Sequence, residues 1–211
     1  MSLNTEQETF WEGDFGNDYT DRNKDEFWVA SNLAFFGEVF RRTHNIQSVL
    51  ELGSNIGLNL MAIKHLLPSA ELSAVEINKK AALELKGNLP DVDIHLSSIL
   101  EFQPSTHWDL AFSKGVLIHI HPEKLPMVYK LLYKSSSRYI LIAEYYNPRP
   151  IGISYRGHEN KLFKRDFAGE MLAMFPKLSL VDYGFCYHRD PNFPQDDLTW
   201  FLMEKAGTYG V

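Results

Sequence analysis

Residues 48–59 read SVLELGSNIGLN, and this stretch decides the fold. Val49, Leu50 and Leu52 form a short apolar run that stops at Gly53, the pattern of a buried strand entering a turn. Residues 58–67, LNLMAIKHLL, follow as a helix closed off by Pro68. A glycine loop between strand and helix is the setting that a nucleotide-type site requires. Gly53 permits a tight turn with unusual backbone angles. Gly57 lets the helix pack closely on the strand.

The loop departs from the phosphate-binding patterns. A dinucleotide fingerprint, G-x-G-x-x-G, uses its middle glycine to let the backbone approach a pyrophosphate. Here the middle position is Asn55 and the third is Leu58. The G-x-x-x-x-G-K pattern is absent too. What remains, E-x-G-x-x-x-G from Glu51 to Gly57, suits an adenosine ligand without phosphates. Glu76 closes the run SAVE nineteen residues after Gly57. An acid near that spacing accepts hydrogen bonds from ribose hydroxyls and repels a phosphate.

Outward from this loop, strands and helices alternate. Strands are expected at 71–77, 92–97, 108–115 and 138–146, and helices at 26–43, 78–88, 123–135 and 166–175. Residues 178–187 and 198–204 have strand character and pair as a terminal hairpin. The alternation argues for a doubly wound α/β architecture around a mostly parallel sheet, and the strands number seven with the hairpin. Ligands of such sheets bind at the carboxyl ends of the strands, near the switch in strand order. The first strand ends at Gly53.

The 211 residues suit a single domain. It divides into an N-terminal helical cap (1–45), a cofactor-binding core (46–146), a 147–165 segment, and a C-terminal helix and hairpin (166–211). A net charge of −6 without a long basic run disfavours nucleic acid as partner. No stretch reaches membrane-spanning length, and no charged-then-apolar leader pattern opens the sequence. The single cysteine, Cys186, fits a reducing cytoplasm. His119 and His121 form an H-x-H pair, but metal ligation needs three or four convergent ligands, so no metal is expected.

With ELGSNIG, AVEIN and WDLAFSKGVLIHIHPE (108–123) in place, the chain resembles the class I S-adenosylmethionine-dependent methyltransferases over residues 45–146. The stretch TEQETFWEGDFGNDYTDRN (5–23), followed by this core, resembles the pseudaminic acid biosynthesis-associated methylase family. The resemblance implies S-adenosylmethionine as cofactor. It places Glu51, Gly53, Ser54, Asn55 and Gly57 around the methionine part, Glu76 on the ribose and Ile77 on the adenine. Ser97, Ser98 and Ile99 fall at the third motif, where many relatives carry an acid for the adenine amino group; this chain has Ser98. Ser113, Lys114 and Gly115 would border the methionine end. Tyr19 and Arg22 would close over the cofactor and meet its carboxylate, although Arg22 also reads as a surface cation paired with Asp18 or Asp21. The sheet's strand order is likewise an implication of the resemblance.

The acceptor side is read from residues after the fourth and fifth strands. His119 reads as a general base or as a residue opening the next helix. Segment 144–166 reads as a substrate lid or as a solvated loop. It carries Tyr145, Tyr146, Tyr155, Arg156, His158 and Lys161. Arg156 and Lys161 would attract an acidic sugar or sugar nucleotide. His119, His158 and Tyr155 are the catalytic candidates. The expected function is O- or N-methylation of a small molecule. A regulatory module that only binds S-adenosylmethionine, a peptide methyltransferase and a nicotinamide-dependent dehydrogenase are the competing readings, the last disfavoured by Asn55.

Overall fold

The computed structural model describes residues 5–22 and 27–207. Asn23, the last residue of the N-terminal motif, and Glu26, the expected start of a helix, lie outside them, as do residues 1–4 and 208–211. Strands β1 (Ser48–Leu52), β2 (Glu71–Glu76), β3 (Asp93–Leu96), β4 (Trp108–Lys114), β5 (Ser136–Glu144), β8 (Leu178–Phe185) and β9 (Thr199–Lys205) form one sheet in the order β3-β2-β1-β4-β5-β9-β8. The first five are parallel, while β9 runs antiparallel between β5 and β8. The doubly wound sheet with an antiparallel C-terminal hairpin is thus the observed architecture.

Period-two burial explains the layering. Along β5, Tyr139, Leu141 and Ala143 face one core while Ile140 and Ile142 face the other. The first core is covered by α3 (Phe27–Phe40), α4 (Leu58–Leu66) and α5 (Lys79–Asn88), through Phe36, Ile63 and Leu85. The second is covered by α6 (Leu125–Ser135) and α7 (Phe167–Met174), through Val128, Leu132 and Met171. Residues 97–107 cross from β3 to β4 without a helix. Among the described residues no helix is long and apolar enough to cross a membrane.

Two segments carry more structure than their sequence suggests. The N-terminal stretch forms α1 (Glu6–Glu12) and α2 (Asp14–Arg22). Thr5 starts α1 with its hydroxyl accepting from the Glu8 amide at 3.2 Å and donating to Glu8 Oε2 at 3.0 Å. The 147–165 segment is a hairpin of β6 (Ile151–Tyr155) and β7 (His158–Lys164) rather than a loop. Its two-residue turn, Arg156-Gly157, holds both residues at positive φ (49° and 83°), the geometry that matches strand twist.

The glycine loop owes its shape to a close approach. Gly57 sits at φ 85°, and a Cβ there would lie 2.2 Å from Leu85 Cδ1. The tight packing is therefore against α5, not against the strand as the sequence suggests. Replacing Gly57 with alanine combines left-handed strain with overpacking, each about 1–3 kcal/mol. We expect Gly57→Ala to lower the melting temperature by roughly 10 °C. Gly87→Ala, in helix α5 with open space around it, should raise it slightly. Calorimetric melts of the two variants check both signs.

Candidate functional site

The carboxyl ends of β1, β2, β3 and β4 open into a cavity of about 270 Å³. It sits at the switch between β1 and β4, where the strand order reverses. Helices α1 and α2 roof it through Glu8, Trp11, Tyr19 and Thr20. The predicted Gly53, Ser54, Asn55, Glu76, Ile77, Ser98, Ile99, Lys114 and Gly115 all line it.

At one end Glu76 is buried, and its carboxylate is aimed by two backbone amides. Oε2 accepts from Asn55 N and Oε1 from Asn78 N, both at 2.7 Å. Asn55 adopts φ 48° to present its amide. Burial raises the pKa of Glu76, and these amide bonds pull it back. Each carboxylate oxygen retains lone-pair capacity for a ligand hydroxyl. The next residue but one, Asn78, caps α5 through its Oδ1, which accepts from Ala81 N at 3.0 Å. Its Nδ2 reaches Trp11 O and Glu12 O at 3.2 Å and Asn17 Oδ1 at 3.0 Å. The helical cap is thereby tied to the end of β2.

Further along, Glu51 lies beneath the loop, fully buried, and does not line the cavity. Asn59 Nδ2 donates to its Oε1 at 2.6 Å, while among the described residues Oε2 has no hydrogen-bond partner. Burial pushes its pKa up to about 8, against the Asn59 bond and the charge of Lys114. Burial also lowers the pKa of Lys114, whose Nζ donates to Asn32 Oδ1 at 3.2 Å. Gln195 Nε2 donates to the same oxygen at 3.0 Å. At this end the Lys114 amine and the Gln195 amide share the Asn32 oxygen, a set of polar groups suited to an amino-acid group.

Beyond it stands His119, in the 3-10 turn Leu117–His119. That turn is held by Glu144, at the end of β5. Its Oε1 accepts from Ser113 Oγ, Val116 N and Leu117 N at 2.9–3.0 Å. Burial pushes the Glu144 pKa up to about 7 in spite of these bonds. His119 Nδ1 lies 2.6 Å from the carbonyl of Lys161. A carbonyl only accepts, so Nδ1 carries the proton and Nε2 keeps its lone pair. Burial lowers the His119 pKa to about 4, opposed by the Lys161 bond. The rings of Trp11 and Tyr155 lie 4.6 and 4.9 Å away. Tyr155, Tyr145 and Asp196 complete this end of the lining. The Tyr145 phenol is held above its ordinary range by burial and by its bond to Asp196.

Arg22, Glu51, Gly57, Arg156, His158 and Lys161 do not line the cavity. Arg22 is exposed, outside the cavity lining, with its guanidinium over the face of Phe15 at 5.6 Å. Tyr19 alone of that pair reaches the cavity. His158 is exposed and packs on Phe10 and Phe15 at ring distances of 5.0 and 5.8 Å, away from the cavity. Lys161 is buried, and its Nζ meets Glu6 Oε2 at 3.0 Å instead of facing solvent. Arg156 sits at the exposed hairpin turn. Glu8, Asn32, Asn78, Glu144 and Gln195 went unread because each is a polar residue inside an otherwise ordinary segment. Only the Thr5-Glu8 spacing carried a signal, that of a capping box. Among the described residues no group of three or more His, Cys, Asp or Glu gathers as a metal site.

No protein-family model matches the chain, and no curated protein does. Solved structures do resemble it. Magnesium protoporphyrin IX methyltransferase (ChlM) from Synechocystis PCC 6803, with bound S-adenosylhomocysteine, superposes with a TM-score of 0.68 at 12% identity, over 95% of this chain and all (100%) of that one. The plantazolicin methyltransferase BpumL gives 0.63 at 12% identity, over 94% of each chain. CalS10, an amino pentose methyltransferase from Micromonospora echinaspora with bound S-adenosylmethionine, gives 0.63 at 10% identity, over 91% of this chain and 96% of that one. At such identities the likeness concerns architecture: the chain has the Rossmann-like fold of the class I S-adenosylmethionine-dependent methyltransferases.

Proposed function

We propose that this protein is an S-adenosylmethionine-dependent methyltransferase acting on a small molecule. The observation that carries the reading is the Glu76 carboxylate, aimed by two backbone amides into a cavity whose glycine loop lacks the phosphate-binding glycine. The lining fits the group. Glu76 meets ribose hydroxyls, Ile77 and Ile99 flank the base, and Lys114 with Asn32 and Gln195 meets the amino-acid end. When bound, S-adenosylmethionine supplies a methyl carbon that the acceptor attacks in line as the carbon–sulfur bond breaks, leaving a neutral thioether. The chain's own work is then alignment and proton removal. His119 Nε2 accepts the proton from an acceptor hydroxyl or ammonium. The Lys161 carbonyl holds the imidazole in the competent tautomer, and Glu144 holds the turn that carries it.

For the acceptor, the N-terminal motif supports an acidic sugar or sugar nucleotide related to pseudaminic acid, with Arg156, 5.8 Å from the Tyr155 ring, as the recognising cation. A second reading, methylation of an amine, is favoured by Asp196 among Tyr145, Tyr155 and Tyr19, since a carboxylate within aromatic faces suits a cation. A binding module without transfer activity, or a peptide acceptor, would share the cofactor contacts and differ in product.

Two measurements test the reading. Calorimetric titration with S-adenosylhomocysteine should show saturable binding. Glu76→Ala should weaken it by roughly 100-fold, the loss of two charge-assisted hydrogen bonds. Unchanged affinity in a folded variant would remove the ribose assignment. With a responsive acceptor, His119→Ala should lower kcat by about 10²–10⁴ while sparing cofactor affinity. His158→Ala should leave turnover largely intact. Because burial holds the His119 pKa to about 4, the base stays neutral at physiological pH and is lost only as pH falls toward that value. A rate profile flat between pH 6 and 8 for this group is expected; a histidine limb near 6.5 that vanishes in His119→Ala would contradict it.

A further inference from the structure

We infer that the open sheet face at β8 and β9 packs against a second copy of this chain in a twofold dimer. On the side of the sheet that α6 and α7 cover, Leu178 belongs to the core and is 5% exposed. Cover stops there. Leu180 is 44% exposed, Tyr183 64% and Phe185 60%. The register sets these three opposite Met203, Phe201 and Thr199 of β9, so they share one face. The Phe201 ring extends the row, lying 6.3 Å from Tyr183 and 6.0 Å from the exposed Tyr146. Tyr187, just past β8, adds a ring 6.2 Å from Phe185. A sheet face turned to water ordinarily carries polar side chains, whereas this one presents aromatics.

Charge and area select the occupant. Leu180, Tyr183, Phe185, Tyr187, Phe201 and Tyr146 are all uncharged, on a chain whose net charge is −6. Two acidic copies therefore meet at this face without setting like charges against each other. Tyr146, Tyr183, Phe185 and Tyr187 are between 42% and 64% exposed. At about 150–250 Å² for each aromatic side chain, they and Leu180 offer roughly 500 Å². A twofold contact uses the same patch on both copies, so it buries about 1,000 Å², the size at which a specific interface begins. The edge of β8 points to face packing rather than strand addition. Although β8 ends the sheet order, Asp182 Oδ1 accepts from the Tyr183 amide and Oδ2 from Arg42 Nε, both at 2.9 Å. An occupied amide and an ion pair on the edge oppose a further strand. The face also reaches the cavity end of the sheet, since Tyr146 follows the cavity-lining Tyr145.

Sedimentation of the full chain tests the proposal. Wild type, 24.3 kDa as a monomer, should associate to a dimer. Its Kd should be about 10 µM or tighter. Tyr183→Lys combined with Phe185→Lys puts cations of both copies into the contact and should weaken association by about 100-fold or more. Circular dichroism should show that this variant keeps its fold. If it does not fold, wild type alone decides the matter. Hydroxyl-radical labelling of Tyr183, Phe185 and Tyr187 should fall as the protein is concentrated through the dimer transition. Labelling of the exposed Leu83, on α5 at the opposite face of the sheet, should stay constant. A wild type that remains monomeric at about 100 µM would overturn the proposal and leave the face to a different partner. A dimer that persists unweakened in the folded variant, or one that leaves the labelling of these three rings unchanged, would overturn it as well.

Discussion

One carboxylate organises the site. Glu76 is withdrawn from water and compensated by the amides of Asn55 and Asn78. An unpaired buried charge is costly, so each amide must be held where the carboxylate needs it. Asn55 reaches its place only through a left-handed turn between two glycines. Asn78 reaches its place by capping α5, and its side chain then fixes the backbone of α1 and the start of α2. The glycine loop, the second crossover helix and the roof are thus referred to one point at the end of β2.

The same logic recurs at the end of β5. Glu144 gathers the amides of the 3-10 turn after β4, which no helix ladder satisfies. That turn carries His119, so the imidazole is positioned by a carboxylate it does not touch. Sheet ends are where the parallel ladder stops and backbone groups lose their partners. In this fold two buried acids take them up and give loops defined shapes.

Much of this architecture was legible in the sequence. Apolar runs such as Tyr139–Ala143, and Val49, Leu50 and Leu52 around Glu51, mark strands buried on both faces, and the glycine spacing marks the loop. The hairpin of β6 and β7 was not legible, because its turn puts Arg156 at positive φ, where asparagine or glycine is the usual signal. The cap was obscured by its polar and aromatic composition, although Thr5 and Glu8 carry the spacing of a capping box. His119 follows the fourth strand and lines the cavity, whereas His158 and Arg22 lie outside the lining, through strand alternation and helix facing that spacing alone does not fix. Glu144 and Asn78 act through backbone atoms distant in sequence, and no local pattern encodes that.

The roof is fastened differently from the sheet. Its attachments to the rest of the chain include Gln7 to the Asn160 carbonyl, Lys161 to Glu6, Thr20 to Asn55, and Asn78 to α1. These are polar bonds that water can replace, set beside the ring contacts of Phe10, Trp11 and Phe15 with His158, His119 and Tyr155. Such bonds can release as a group while the cores stay intact. Residues 5–22 belong to neither core cluster, so they can undock as a unit without unfolding the domain. Ligand passage in and out of the cavity would then depend on the roof's own attachments, separate from the stability of the scaffold beneath.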